Sequence, residues 1–325
     1  ADDPDDLPEL SKRVGKREGA VRRLVAEQLG DLRSATDLEA LTAAVEVRSA
    51  SRVLAAVPIE TWAESIMAPT KAWLKDAFLI GVTVGAEAAD VTLVKRGGEM
   101  PFNVPNSEAV EWARAHAGVM VTSISETSAA AIREIVTEAI DWGWSARDTA
   151  RLIRETVGLT PHQERAAVKF GLRLQEQGVP RDRILSRVAR YTDAQRSVRA
   201  LMIARHELLT AANEGQQRLW DLGVRQGLIR KDRVKRKWLV AKDERLEQLC
   251  ENLENDLASL DQPFKDGTFK PPRHIGCRCS MGLVRSQTSA IVTVTSARPK
   301  SDETIAAAVR AGIAPLAAAI QEATQ

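Results

Sequence analysis

Apolar residues recur at helical spacing through the first two-thirds of the chain, and the pattern changes only after Gly227. Over 10–32, Val14, Val21, Leu24, Val25 and Leu29 fall near one helical face. Asp37 has the side chain of an N-cap and opens a second helix, with Leu38, Leu41, Val45 and Val53 as its stripe; Pro58 ends or bends it. A short apolar helix follows Pro69 over 73–81. From 81 to 105, Gly, Val and Thr alternate between Gly97, Gly98, Pro101 and Pro105, which predicts a loop or hairpin. Helices are predicted over 109–118 and 127–142, the second burying Ile132, Ile135, Val136 and Ile140. Ser145 and Asp148 read as a capping box for a helix ending near 157. Further helices are predicted over 161–177, 180–189 and 193–223.

Beyond Gly227 the pattern is mixed. Strands are expected over 237–241, 279–284 and 290–295, a helix over 243–257, and irregular chain over 263–272. An Ala-rich helix interrupted at Pro315 is expected over 304–323. The predicted fold class is therefore mainly α with a small α+β C-terminal module: an elongated helical N-terminal block, then a few short strands around a Cys/His cluster. Three segments follow: a helical block over 1–144 suited to partner docking, a second domain over 145–285 with the Cys/His module at 237–285, and a strand-and-helix tail over 286–325.

Composition narrows the classes. A formal charge of +2 over 325 residues gives no global attraction to nucleic acid or membrane. No run of 18 apolar residues occurs, so no membrane span is expected. Three cysteines are too few for a disulfide-stapled scaffold, which points to synthesis in a reducing compartment. Local charge differs from the global balance: residues 218–245 hold ten basic against four acidic side chains. Within them Arg225, Arg230, Lys231, Arg233, Lys235, Arg236 and Lys237 are candidate phosphate contacts, the alternative being a solvated hinge.

All three cysteines and one of four histidines lie in two short pieces near the C-terminal end. Cys250, His274, Cys277 and Cys279 make up a Cys3His set, which zinc accepts. Such a crosslink would add folding energy to a module with little core. No cysteine stands beside Cys250, however, and Cys-x-Cys is an uncommon zinc grip. Reduced buried thiols, with His274 bonded to a backbone carbonyl, and a disulfide are the other readings. A nucleophilic site would pair Cys277 or Cys279 with His274, oriented by Glu207 or Asp243.

One order of residues is more specific. Arg205, Glu207, Asn213, Gly215, Trp238, Asp243, Arg245, Cys250, Pro271, Pro272, His274, Cys277 and Cys279 follow one another in a pattern that resembles the minor head proteins of tailed phages, the Mu F-like head morphogenesis family. The resemblance covers about 145–284. His206 stands where that family has Thr, Ile275 where it has Pro, and Cys250 where many members have a cysteine pair. The resemblance implies a non-enzymatic virion protein, made in the host cytoplasm and placed in the phage head at the portal vertex. Its implied partners are the portal protein, genome DNA, and the major capsid or scaffold protein, with several copies around the portal. The alternatives are a virion-carried nuclease or transferase using Glu207, Arg245 and His274, and a DNA-binding assembly factor without portal contact.

Overall fold

The computed structural model describes residues 7–93, 106–141 and 144–286; side chains at 90–93, 106, 134 and 136–141 lie outside the description. Eight helices come first: α1 (Glu9–Ala35), α2 (Leu38–Glu46), α3 (Ala50–Ala55), α4 (Ile59–Leu93), α5 (Asn106–Asp141), α6 (Ala146–Thr156), α7 (Pro161–Glu176) and α8 (Arg181–Arg225). Then follow β1 (Val234–Leu239), the short α9 (Gln248–Glu251), β2 (Leu257–Ala258) and β3 (Ser280–Arg285). The strands form one antiparallel sheet in the order β2-β1-β3. The chain is thus mainly helical with a small mixed module, as its pattern predicts. The expected strand over 290–295 and helix over 304–323 lie outside the described residues.

The helix caps follow local chemistry. The Asp37 carboxylate accepts the amides of Glu39 and Ala40, and the Ser145 hydroxyl accepts that of Asp148. The reciprocal capping box belongs instead to α7, between Thr160 and Gln163. Beyond α8, Gly227 takes φ 73°, a left-handed conformation that stops the helix at little cost.

Three expected breaks are absent. The loop predicted after Gly81 is helical as far as Leu93, and Pro69 lies inside α4. Trp62, Ile66, Trp73, Leu74, Ala77, Phe78 and Val82 keep the buried face continuous past that proline. The Ser/Thr-rich stretch 122–128 lies within α5, because the hydroxyls of Ser125, Thr127 and Ser128 bond carbonyls one turn back. The helices predicted over 180–189 and 193–223 are one, α8. No Gly or Pro separates them, and Asp193 pairs with Arg196 within the helix at 2.6 Å.

The central helix α8 is flanked by α1 and α4. Arg205 of α8 holds Glu18 of α1 with two hydrogen bonds of 2.8 Å. Two glycines set the spacing between α4 and α8. A Cβ on Gly81 would lie 1.8 Å from the Ala212 carbonyl oxygen, and one on Gly215 would lie 2.1 Å from that of Phe78. The backbones therefore touch with no side chain between them, and Trp220 donates across the seam to the Gly85 carbonyl at 3.0 Å. At the other end, Arg196 and Arg199 are buried and donate to the carbonyls of Glu155 and Gly158, each at 2.6 Å, tying α8 to the end of α6.

Gly81→Ala and Gly215→Ala are each expected to destabilise the protein by about 1–3 kcal/mol or more through overpacking. Gly15→Ala, whose Cβ would meet nothing within 4 Å, should be neutral or stabilising by up to about 1 kcal/mol. Urea unfolding of the three variants checks the contrast, and equal effects would remove the seam from the account.

Candidate metal centre and basic strand

The module is built on β1. Its burial alternates, with Val234, Arg236 and Trp238 inward and Lys235, Lys237 and Leu239 partly exposed. Trp238 packs edge-on against Phe264 at 5.1 Å and sits opposite Met281 of β3. Arg236 is fully buried, although it is part of the basic run. Its guanidinium donates to the carbonyls of Ser259, Gln262 and Phe269 and to the Gln217 side chain. It also stacks on Phe269 and Phe264, with centroids 4.2 and 5.2 Å away. Burial lowers its pKa to about 10, which still leaves it charged at neutral pH. This arginine organises the irregular 259–269 loop in the way a metal or a larger core might have done.

The expected helix over 243–257 is only the four residues of α9; turns replace the rest. The Asp243 carboxylate caps the amide of Arg245, and Asn255 adopts φ 60°. Asp243 has a larger task, since it forms a buried ion pair with Arg278 between Cys277 and Cys279. The carbonyl of Arg278 in turn accepts the Ser11 hydroxyl of α1 at 2.7 Å. The two pieces that hold the cysteines are thus joined by charge and anchored to the helical body.

That pairing closes the cysteine cluster. Cys250, Cys277 and Cys279 are buried free thiols, and Cys250 Sγ lies 3.8 Å from Cys277 Sγ. No disulfide forms among them. Ligand atoms of Cys250, His274 and Cys277 all lie within 4.8 Å of one another. His274 Nδ1 faces the Ile275 carbonyl at 3.0 Å and the Glu247 carboxylate at 3.2 Å, contacts that orient the ring. The Cys277 thiol is drawn down to about 2 by hydrogen bonds from Cys250 and Cys279, helped by the backbone amides of Cys279 and Arg273. Cys250 is pushed up by the same sharing. Cys279, although lowered by Cys250, is raised on balance to about 12 by Cys277. Of the three sulfurs, Cys277 is the one whose surroundings favour the thiolate, and the Cys279 amide donates to it at 3.4 Å.

Cys250, His274 and Cys277 form a donor set able to hold a metal ion, and Cys279 lies outside that group. Two sulfurs about 2.3 Å from a tetrahedral zinc lie about 3.8 Å apart, the spacing of Cys250 and Cys277. The ring contacts of His274 are the kind of support that metal-bound imidazoles have.

The basic candidates separate by position. Arg225, Arg230, Lys231 and Arg233 are exposed, and Lys235 and Lys237 share the outer face of β1. Arg230 pairs with Asp232 at 2.9 Å and Lys231 with Asp261 at 2.6 Å, so part of the local charge is neutralised. Arg236 is a correction to the candidate list: it lies in the interior.

Most of the remaining motif residues do structural work. Arg205 binds Glu18, Asn213 is buried with its amide on the Leu209 carbonyl, Gly215 forms the seam, and Pro271 is buried. Glu207 bonds His116 of α5 at 2.6 Å, and that ring stacks on Trp112. The enzyme reading required Glu207, Arg245 and His274 to act together. Glu207 is engaged with His116, and His274 with Ile275 and Glu247, so neither contact involves the other members of that trio. His116 and the buried Arg199 carry no local sequence signal, because their partners are far along the chain.

Residues 130–282 match the family model described as phage Mu protein F like protein. The match spans a little under half of the chain. No curated protein and no solved structure matches the chain. No helix among the described residues is long and apolar enough to cross a membrane. The matched segment includes α8, β1, β2, the first half of β3 and the cysteine cluster, whereas the Gly81 and Ser11 contacts come from outside it.

Asp243→Ala strips Arg278 of its buried carboxylate and is expected to cost about 3–5 kcal/mol. The double variant Asp243→Leu/Arg278→Met should recover a large part of that loss in the same unfolding measurement. A double variant no more stable than the single would show that the pair acts through something other than charge.

Proposed function

We propose that the chain is a structural, non-catalytic component of a tailed-phage head, docked on the portal protein at the head vertex and lying near packaged DNA. Several copies would surround the portal, with the major capsid or scaffold protein as a further neighbour. The observation that carries this reading is the Mu F-like match over 130–282. It is supported by the packing of the motif residues, which serve a helix seam, a buried ion pair and a thiol cluster. In this reading residues 1–144 offer the partner-facing helices, 145–285 the head-protein module and 286–325 a tail. Co-expression with the cognate portal protein tests it: the two should co-purify as a complex, and a chain that never associates with portal or particles would overturn it.

Contact with DNA would fall to Arg225, Arg230, Lys231, Arg233, Lys235 and Lys237. Lys235 and Lys237 stand side by side on the outer face of β1, and among the described residues no acidic side chain is bonded to either. Binding of duplex DNA should weaken as salt rises, and Lys235→Ala/Lys237→Ala should reduce the slope of log affinity against log salt by about 2. Arg236→Ala should instead lower the melting temperature. A salt-independent affinity would exclude the phosphate contacts. DNA binding without portal capture would favour a free-standing assembly factor.

The cluster is proposed to hold zinc through Cys250, His274 and Cys277, with Cys279 completing the set. Zinc would act there as a structural crosslink, with the Cys277 thiolate supplying the first ligand charge. Elemental analysis should find about one zinc per chain, and a strong chelator should lower the melting temperature of the wild type but not of Cys277→Ser. Metal-free protein with an unchanged melt would leave the cluster as buried thiols.

A further inference from the structure

Between α5 and α8 lies a cleft of about 520 Å³ that neither the zinc reading nor the DNA reading uses. Its walls are apolar, with Met120 and Ile124 from α5, Met202 and Ile203 from α8, and Ile275 at the mouth. The N-terminus of α7, with Thr160 and Gln163, opens onto it. One charged group lies deep in this lining. Arg199 is 6% exposed, and its Nη1 donates to the Gly158 carbonyl at 2.6 Å and the Ser128 hydroxyl at 3.5 Å. Its Nε and Nη2 make no hydrogen bond among the described residues. Other α8 arginines are differently placed: Arg196 holds Asp193, Arg205 holds Glu18, and Arg218 holds Glu214 and Glu108. Arg199 is bonded to no carboxylate. Burying a guanidinium without a counter-charge is costly unless something supplies one. The acid on the wall, Glu207, is already bonded to His116. A second donor or acceptor is also spare, because the buried Nδ1 of His206 has no hydrogen-bond partner.

We infer that this cleft receives an acidic side chain, presented by a protein partner between aliphatic neighbours, with its carboxylate on Arg199. Charge complementarity selects the anion, and the positive end of α7 adds to it. The apolar walls select aliphatic flanks. The surface around the mouth argues for a polypeptide over a small acid: Ile275 is 70% exposed, and Val119 is 68% exposed in a shallow depression that shares Ser123 with the cleft. The inference rests on the reading of the chain as an assembling head protein. Its test uses the isolated full chain, so it succeeds or fails whether or not portal protein is captured.

The probe is the peptide acetyl-Leu-Glu-Leu-Ile-amide, compared with its Gln analogue and with free 4-methylpentanoate. The readout is methyl NMR of Met120 and Met202. The Glu peptide should shift both methyl signals saturably, and the Gln analogue should bind roughly tenfold more weakly or worse, the size of one charge-assisted hydrogen bond. Ile275→Asp lies on an exposed loop and leaves the core intact; it should weaken the peptide without changing the melting temperature. Arg199→Met should abolish the Glu/Gln preference, and the Ile275→Asp result keeps the test decisive if Arg199→Met fails to fold. Equal binding of Glu and Gln peptides, or unmoved methionine signals at millimolar peptide, would overturn the inference. Binding of 4-methylpentanoate as tightly as the peptide would overturn the assignment to a protein partner.

Discussion

Backbone contact between α4 and α8 is the constraint on which the rest of the structure depends. Helices usually stand apart by the width of their side chains, but here Gly81 and Gly215 bring carbonyls against α-carbons. The close approach puts Trp220 within reach of the Gly85 carbonyl and presents the opposite side of α8 to α1, α6 and α7. It fixes the place of α8, from which the chain turns at Gly227 toward β1. Had the seam been wider, the sheet that follows would have met a different part of the helical body.

Charge inside the protein is used in the same structural way. Arg236, Arg196, Arg199 and the Asp243–Arg278 pair are all buried, and each joins segments far apart in the chain. Loops such as 259–269 expose several carbonyls at once, and a guanidinium can satisfy several from one point. The cost is desolvation, visible in the lowered pKa values of Arg236 and Arg199. The benefit is a fixed loop path leading to Pro271 and the cysteine cluster.

What could be read from sequence divides by the distance over which the physics acts. The caps at Asp37 and Ser145 were legible because each acts on amides two or three residues ahead. The strands around Trp238 and Met281 were legible from alternation and β-branched composition, and the cysteine pieces from their order. Helix breaks were over-read at Gly81, at 122–126 and near Asp193. The glycine there answers to Ala212, far along the chain, and the hydroxyls satisfy themselves on the preceding turn. Arg236 could have been placed inside, since alternation puts it on the face of Trp238. Counting charge along the segment obscured that. The His116–Glu207 bond and the isolation of Arg199 depend on helix packing alone, and no local pattern carries them.

The boundaries of the family match and the physical seams of the protein do not coincide. The match opens at residue 130, inside α5, yet the glycine groove of α8 is filled by α4, and the loop between the last two cysteines is pinned by Ser11. A fragment cut to the matched residues would begin mid-helix, with a bare backbone groove on one side and an unanchored thiol loop on the other. In this chain the matched segment is therefore packed as one body with the helices that precede it.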